Sequence, residues 1–165
     1  MENIKSVNIQ NLGVNLEKIG DFLYHEGPLL SLFQDRNKLE NYYFYKWTDC
    51  DDVCNRWLVF PISIENLRAF LYQECSLKSL VFKNSYIFLI DLNNDLEQIQ
   101  CLVTSVEDIP QSYLPTDNSF YKKGKYTELA ETFKNTVIRT SIYDVLNHLM
   151  SEVENIKNEQ KREIT

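Results

Sequence analysis

Through the first hundred residues the apolar positions come in short runs separated by turn-forming residues, the rhythm of strands joined in sequence. Residues 1 to about 15 are polar and weakly patterned, and read as an irregular arm or a short strand. Residues 18–24 read as a strand that His25, Glu26, Gly27 and Pro28 end in a turn. Residues 29–34 follow so closely that the two strands are expected to form a hairpin. Residues 35–40 are charged and turn-like. Residues 41–47 are aromatic enough to predict a strand with alternating rings on one face. An acidic loop, residues 49–55, precedes a short buried strand over 56–61 that ends in proline. Connections this short favour an antiparallel meander.

The period then changes. Ser63 and Ser76 are candidate N-caps, and Leu67, Phe70, Leu71, Leu77, Leu80 and Val81 recur at helical spacing after them. Residues 63–83 therefore predict two short helices broken near Glu74 and Cys75. Residues 85–92 return to strand, Asn93 and Asn94 suit a two-residue turn, and residues 98–103 pair back. Residues 105–125 form a loop. Helical composition resumes at 127–135, and Ser141 is placed to cap a final helix to about residue 161. Its apolar positions are Ile142, Leu146, Leu149, Val153 and Ile156, a coiled-coil-like seam. The expected architecture is α+β: a mainly antiparallel sheet of about six strands, an inserted helix pair and a C-terminal helical tail. Residues 1–125 form the expected domain and residues 126–165 a helical extension.

Composition narrows the function classes. The 165 residues hold only 4 Gly and 4 Pro, so no long flexible linker divides them. A net charge of −7 opposes indiscriminate nucleic-acid binding and docking on anionic lipid. No apolar run nears the roughly 18–20 residues that span a bilayer. The N-terminus is polar, without the apolar stretch of a signal peptide, so a cytoplasmic location is expected. Cys50, Cys54, Cys75 and Cys101 are expected to be reduced thiols, because a chain of this size has core enough without disulfides.

Candidate chemistry is sparse. Cys50 and Cys54 flank carboxylates, but a structural zinc site needs four ligands and a second thiol pair is missing. Asp91, Asn93 and Asp95 begin like a calcium loop, yet Leu96 and Leu102 stand where Gly and Glu belong. A hairpin turn with local side-chain hydrogen bonds explains them better. No metal and no cofactor is expected. His25 with the acidic loop, where Cys50 or Cys54 could be its nucleophilic partner, is the one start for a hydrolase or nuclease-like reading, and it has no local signature. His148 reads as a surface residue flanking the seam. Phe120, Tyr121, Lys122, Lys123, Lys125 and Tyr126 interleave rings with cations, as a nucleic-acid contact would, or simply form a solvated linker. Partner binding has more behind it. The seam Ile142, Leu146, Leu149, Val153 and Ile156 is the expected contact with a protein partner or a second copy, or else packs on its own sheet. The ring-bearing face of residues 42–47, if left uncovered, is a second interaction candidate.

Five motifs resemble a group of small bacterial domains without an assigned activity. They are Tyr24-x-x-Gly27-Pro28-Leu29-Leu30-Ser31, Trp57-Leu58-Val59, Ser76-Leu77, Leu114-Pro115 and Ser119-x-Tyr121. The resemblance covers about 100 of the 165 residues. It implies a bacterial or phage-related protein and transfers no catalytic residue. The leading expectation is a non-catalytic interaction or regulatory subunit of a bacterial system, with a defence or toxin-related setting guessed from the resemblance. The alternatives are the small hydrolase or nuclease-like enzyme and a small-ligand or nucleic-acid-binding module.

Overall fold

The computed structural model describes residues 4–121. The chain divides into two units, Met1–Ala130 and Glu131–Thr165, and every described residue belongs to the first. The expected C-terminal helices, and with them the seam Ile142, Leu146, Leu149, Val153 and Ile156, lie outside the described residues.

Seven strands form one antiparallel sheet, one more than the sequence pattern predicts. They are β1 (Val7–Ile9), β2 (Leu16–Tyr24), β3 (Pro28–Asp35), β4 (Lys38–Cys50), β5 (Cys54–Ile62), β6 (Tyr86–Asn93) and β7 (Gln98–Ser105). β2 to β5 form the expected meander, and the same pairing in sequence order continues past the helix pair through β6 and β7. β1 is the additional strand, drawn from the polar arm, and it pairs with β7 at the far edge. The chain must then travel from Ile9 at one edge to Leu16 at the other. Six inter-strand spacings amount to roughly 29 Å. Seven extended residues reach only about 25 Å. The sheet is therefore curved enough to shorten the span between its two edges, and Leu12 packs against one face on the way across.

The helix pair lies between β5 and β6: α1 (Ile64–Leu71) and α2 (Leu77–Phe82). Both begin at the anticipated caps. Ser63 Oγ accepts from the Asn66 N–H at 3.2 Å, and Ser76 Oγ accepts from the Ser79 N–H at 3.1 Å. Leu67, Phe70, Leu77, Leu80 and Val81 are buried. Phe44 is fully buried amid rings, 5.6 Å from Phe22, 5.9 Å from Phe60 and 5.8 Å from Phe70 between centroids. Alternation along the strands places Leu32, Phe44, Leu58, Phe60 and Leu89 on this helix-bearing face.

The other face has its own core of Trp57, Val59, Ile90 and Cys101, with Tyr43, Tyr45, Trp47 and Phe88 packed around it. β5 is thus buried on both faces, which explains its unbroken apolar run from Trp57 to Phe60. The rings of Tyr43, Tyr45 and Trp47 on β4 belong to this second core, where they are half-buried. Among the described residues, no helix is long and apolar enough to cross a membrane.

Candidate functional site

A meander places alternate turns at the same end of its sheet. The β2–β3 turn (His25 to Gly27), the β4–β5 turn (Asp51 to Val53) and the β6–β7 turn (Asn94 to Glu97) therefore cluster at one end. Three of the chain's exposed large apolar side chains stand there, Tyr24, Val53 and Leu96, at 59%, 66% and 76% exposure. Glu26, Asp51, Asp52, Asp95 and Glu97 surround them, all exposed. Below lies a groove of about 600 Å³, with His25, Pro28, Trp47, Trp57, Leu92 and Leu96 in its walls.

The backbone here is strained at two non-glycine residues. Glu26 has φ +54° and Leu96 φ +64°, in the left-handed region that disfavours a bulky side chain. The sequence places the β6–β7 turn on Asn93 and Asn94, residues that tolerate such angles. The turn is in fact longer. The Asn93 N–H donates to the Glu97 carbonyl at 2.9 Å, and Asn93 Oδ1 accepts from the Asp95 and Glu97 N–H groups at 3.0 and 2.8 Å. Asn93 serves as the side-chain staple, and the left-handed angle falls on Leu96. The calcium-like spacing thus resolves into a turn, and Asp91 is turned elsewhere.

Asp91 is buried opposite Arg56 on β5. Arg56 Nε and Nη2 donate to its two carboxylate oxygens, each at 2.7 Å. This fork removes both charges from solvent on the helix-bearing face. Beside it, a register shift between Trp47 and Asp49 adds a residue to β4 and brings Asp49 opposite Arg56. The Tyr113 hydroxyl then donates to Asp49 Oδ2 at 2.6 Å, a bond that holds the Asp49 carboxyl below its ordinary pKa.

The residues offered for catalysis do not assemble into a dyad. The imidazole of exposed His25 makes no hydrogen bond among the described residues. Cys50 is exposed, whereas Cys54 is buried, and burial followed by the charges of Asp91 and Asp51 pushes its thiol pKa up. That is the reverse of thiol activation. The Asp51 carboxylate accepts from the Cys54 and Val53 N–H groups, both at 2.9 Å, so it caps its own turn. All four cysteines are free. Among the described residues no group of three or more His, Cys, Asp or Glu side chains is gathered as a metal site.

Two features escape sequence reasoning. The Trp57 indole N–H is buried without an acceptor among the described residues, while the neighbouring Trp47 indole donates to Asn55 Oδ1 at 3.1 Å. Lys46, one polar residue in an aromatic strand, is largely buried, and burial draws its pKa down to about 8. No family model, no curated protein and no solved structure matches the chain.

Proposed function

We propose that this chain is a non-catalytic binding module, a protein-interaction or regulatory subunit, whose described contact surface is the three-turn end of the sheet. The observation that carries the reading is Leu96. A bulky apolar side chain is held at a left-handed backbone angle and left 76% exposed, at a position where glycine or asparagine would relieve the strain. Neither burial nor turn geometry accounts for leucine there, whereas contact with a partner does. Tyr24, Val53 and the Trp47–Trp57 groove supply further apolar area, and the carboxylates of the three turns ring it. The complementary partner is a protein segment with apolar anchors flanked by Lys or Arg. Burial of Cys54, which pushes its thiol pKa up, supports a binding role over the hydrolase alternative. The bacterial setting, including a defence or toxin-related one, rests on the motif resemblance alone. The seam from Ile142 to Ile156 remains the second proposed contact, for a partner or a second copy.

The test is selection from a displayed random-peptide library on the purified protein. The expected outcome is enrichment of apolar peptides with basic flanks, lost in the double variant Val53→Asp, Leu96→Asp. Both side chains are exposed, so the variant should melt as the parent does. Enrichment unaffected by the double change would rule out this end of the sheet as the contact surface. Loss of any selected hydrolytic activity on His25→Ala would instead favour the enzyme alternative.

A further inference from the structure

A second cavity, of about 350 Å³, opens on the helix-bearing side beside residues 115–120. Its walls are mainly apolar, with Leu23, Leu30, Leu77 and Phe120 among them, and the exposed residues Thr116 and Asn118 stand at its margin. Lys46 is the one charged residue in the described lining. Its Nζ donates to the carbonyl oxygens of Trp47 and Tyr113, at 3.0 and 3.1 Å. Both acceptors are neutral, and no carboxylate of the described residues pairs with it. The nearby acids are already engaged: Asp117 pairs with Lys78 at 2.7 Å, and Asp49 accepts from Tyr113. An ammonium has three donors, so one remains without a described acceptor. A part-buried cation without a counter-ion is unfavourable, and two bonds to neutral carbonyls offset only part of that cost.

We propose that this cavity binds an organic carboxylate bearing a short apolar group, with Lys46 as its counter-ion. One positive charge matches one carboxylate, and the third ammonium donor supplies the hydrogen bond. The apolar walls match the rest of the ligand. A phosphate dianion would need more donors than the cavity offers and would leave those walls wet. The carboxylate can belong to a free small acid or to the C-terminus of a peptide, and the two sources share this chemistry. The site goes beyond the three-turn surface, although Leu29 and Trp47 border both cavities.

Calorimetric titration of the full chain with hexanoate tests the proposal, with hexanol and inorganic phosphate as controls. Saturable binding of hexanoate but of neither control is expected. Lys46→Met, close to the lysine stem in shape, should weaken it by about tenfold or more, the loss expected for one charge-assisted hydrogen bond. In the unsubstituted protein, nuclear magnetic resonance of the lysine Cε positions should show the Lys46 pKa rising when hexanoate is added. This readout stands even if Lys46→Met folds poorly. A short leucine-terminated peptide with a free C-terminus, compared with its amide, separates the sources: tighter binding than hexanoate assigns a chain terminus, weaker binding a small acid. Leu96→Asp should leave hexanoate binding unchanged, so failure at one site is distinguishable from failure at the other. No saturable hexanoate binding, equal binding by a folded Lys46→Met, or phosphate binding as tight as hexanoate would overturn the proposal.

Discussion

Replacing Asp91 by Asn removes one charge from a buried fork while keeping the side-chain shape. The side chains of Arg56 and Asp91 are 7% and 5% exposed, and two contacts of 2.7 Å join them. Bringing two charges out of water is costly, and their attraction repays it only while both are present. Asn offers one acceptor and an unwanted donor, so the guanidinium keeps its charge in a buried site with one of its two bonds to residue 91 gone. Losses of this kind run to about 3–5 kcal/mol. Against a typical total of roughly 5–15 kcal/mol, that is a large fraction of the fold's stability. Urea denaturation followed by tryptophan fluorescence measures it directly. The double variant Arg56→Met, Asp91→Leu makes the argument sharper. With both charges removed, it should be clearly more stable than Arg56→Met alone, since Asp91 is no longer left buried and unpaired. A cost below about 1 kcal/mol for Asp91→Asn would refute the reasoning, because the fork would then be contributing no more than an exposed ion pair.

Gly27 has φ +155°, and a methyl group there would meet nothing within 4 Å. Gly27→Val should therefore destabilise by backbone strain alone, about 1–3 kcal/mol, read from the thermal midpoint. Leu96→Gly should leave stability unchanged or raise it by up to about 1 kcal/mol, because relief of the left-handed angle exceeds the entropy glycine adds. The same change should weaken partner binding, and a fall in both would argue against a functional Leu96. Lys46 has a folded pKa of about 8, against an ordinary 10.5. Between those values the unfolded chain holds the proton that the folded chain has released, so the Lys46 contribution to stability rises with pH. Tyr45 works the other way above about pH 10, because burial raises its pKa and folding then hinders its ionisation. The window is thus about pH 8 to 10, where Lys46→Met should flatten the pH dependence seen in urea titrations.

Local signals in the sequence were sufficient for much of the fold. Ser63 and Ser76 act on N–H groups three residues away, so their caps could be read directly. The strands β2 to β7 are joined by short connections, and the aromatic content of β4 announced it. What depended on distant partners could not be read. Val7–Ile9 is too short to declare itself within a polar arm, and it becomes a strand only through Val103, Leu102 and Cys101. Arg56 reads only as the start of a strand and Asp91 as part of a hairpin turn, and it is the register of β5 and β6 that sets them opposite each other. The same holds for Asp49, whose meeting with Tyr113 depends on the register shift after Trp47. Asn93 and Asn94 drew attention to the right turn, but the strained residue was Leu96. The groove's ingredients are partly visible in the sequence, since His25, Gly27 and Pro28 read as a turn and Trp57 as part of a buried strand. Their convergence at one sheet end came from the meander itself.

The pairing of β1 with β7 has a consequence for how the chain reaches its native state. Every other strand pairs with its neighbour in sequence, and such contacts form quickly because little chain must be closed to make them. The three residues of β1 instead join a strand almost the whole domain away. They cannot dock until β7 has been synthesised and positioned, and closing so long a loop carries a larger entropy cost. β1 should therefore be the last strand to lock during folding and the first to open afterwards. In hydrogen exchange, the amides that β1 and β7 share should exchange through a local opening, well before those buried in β5.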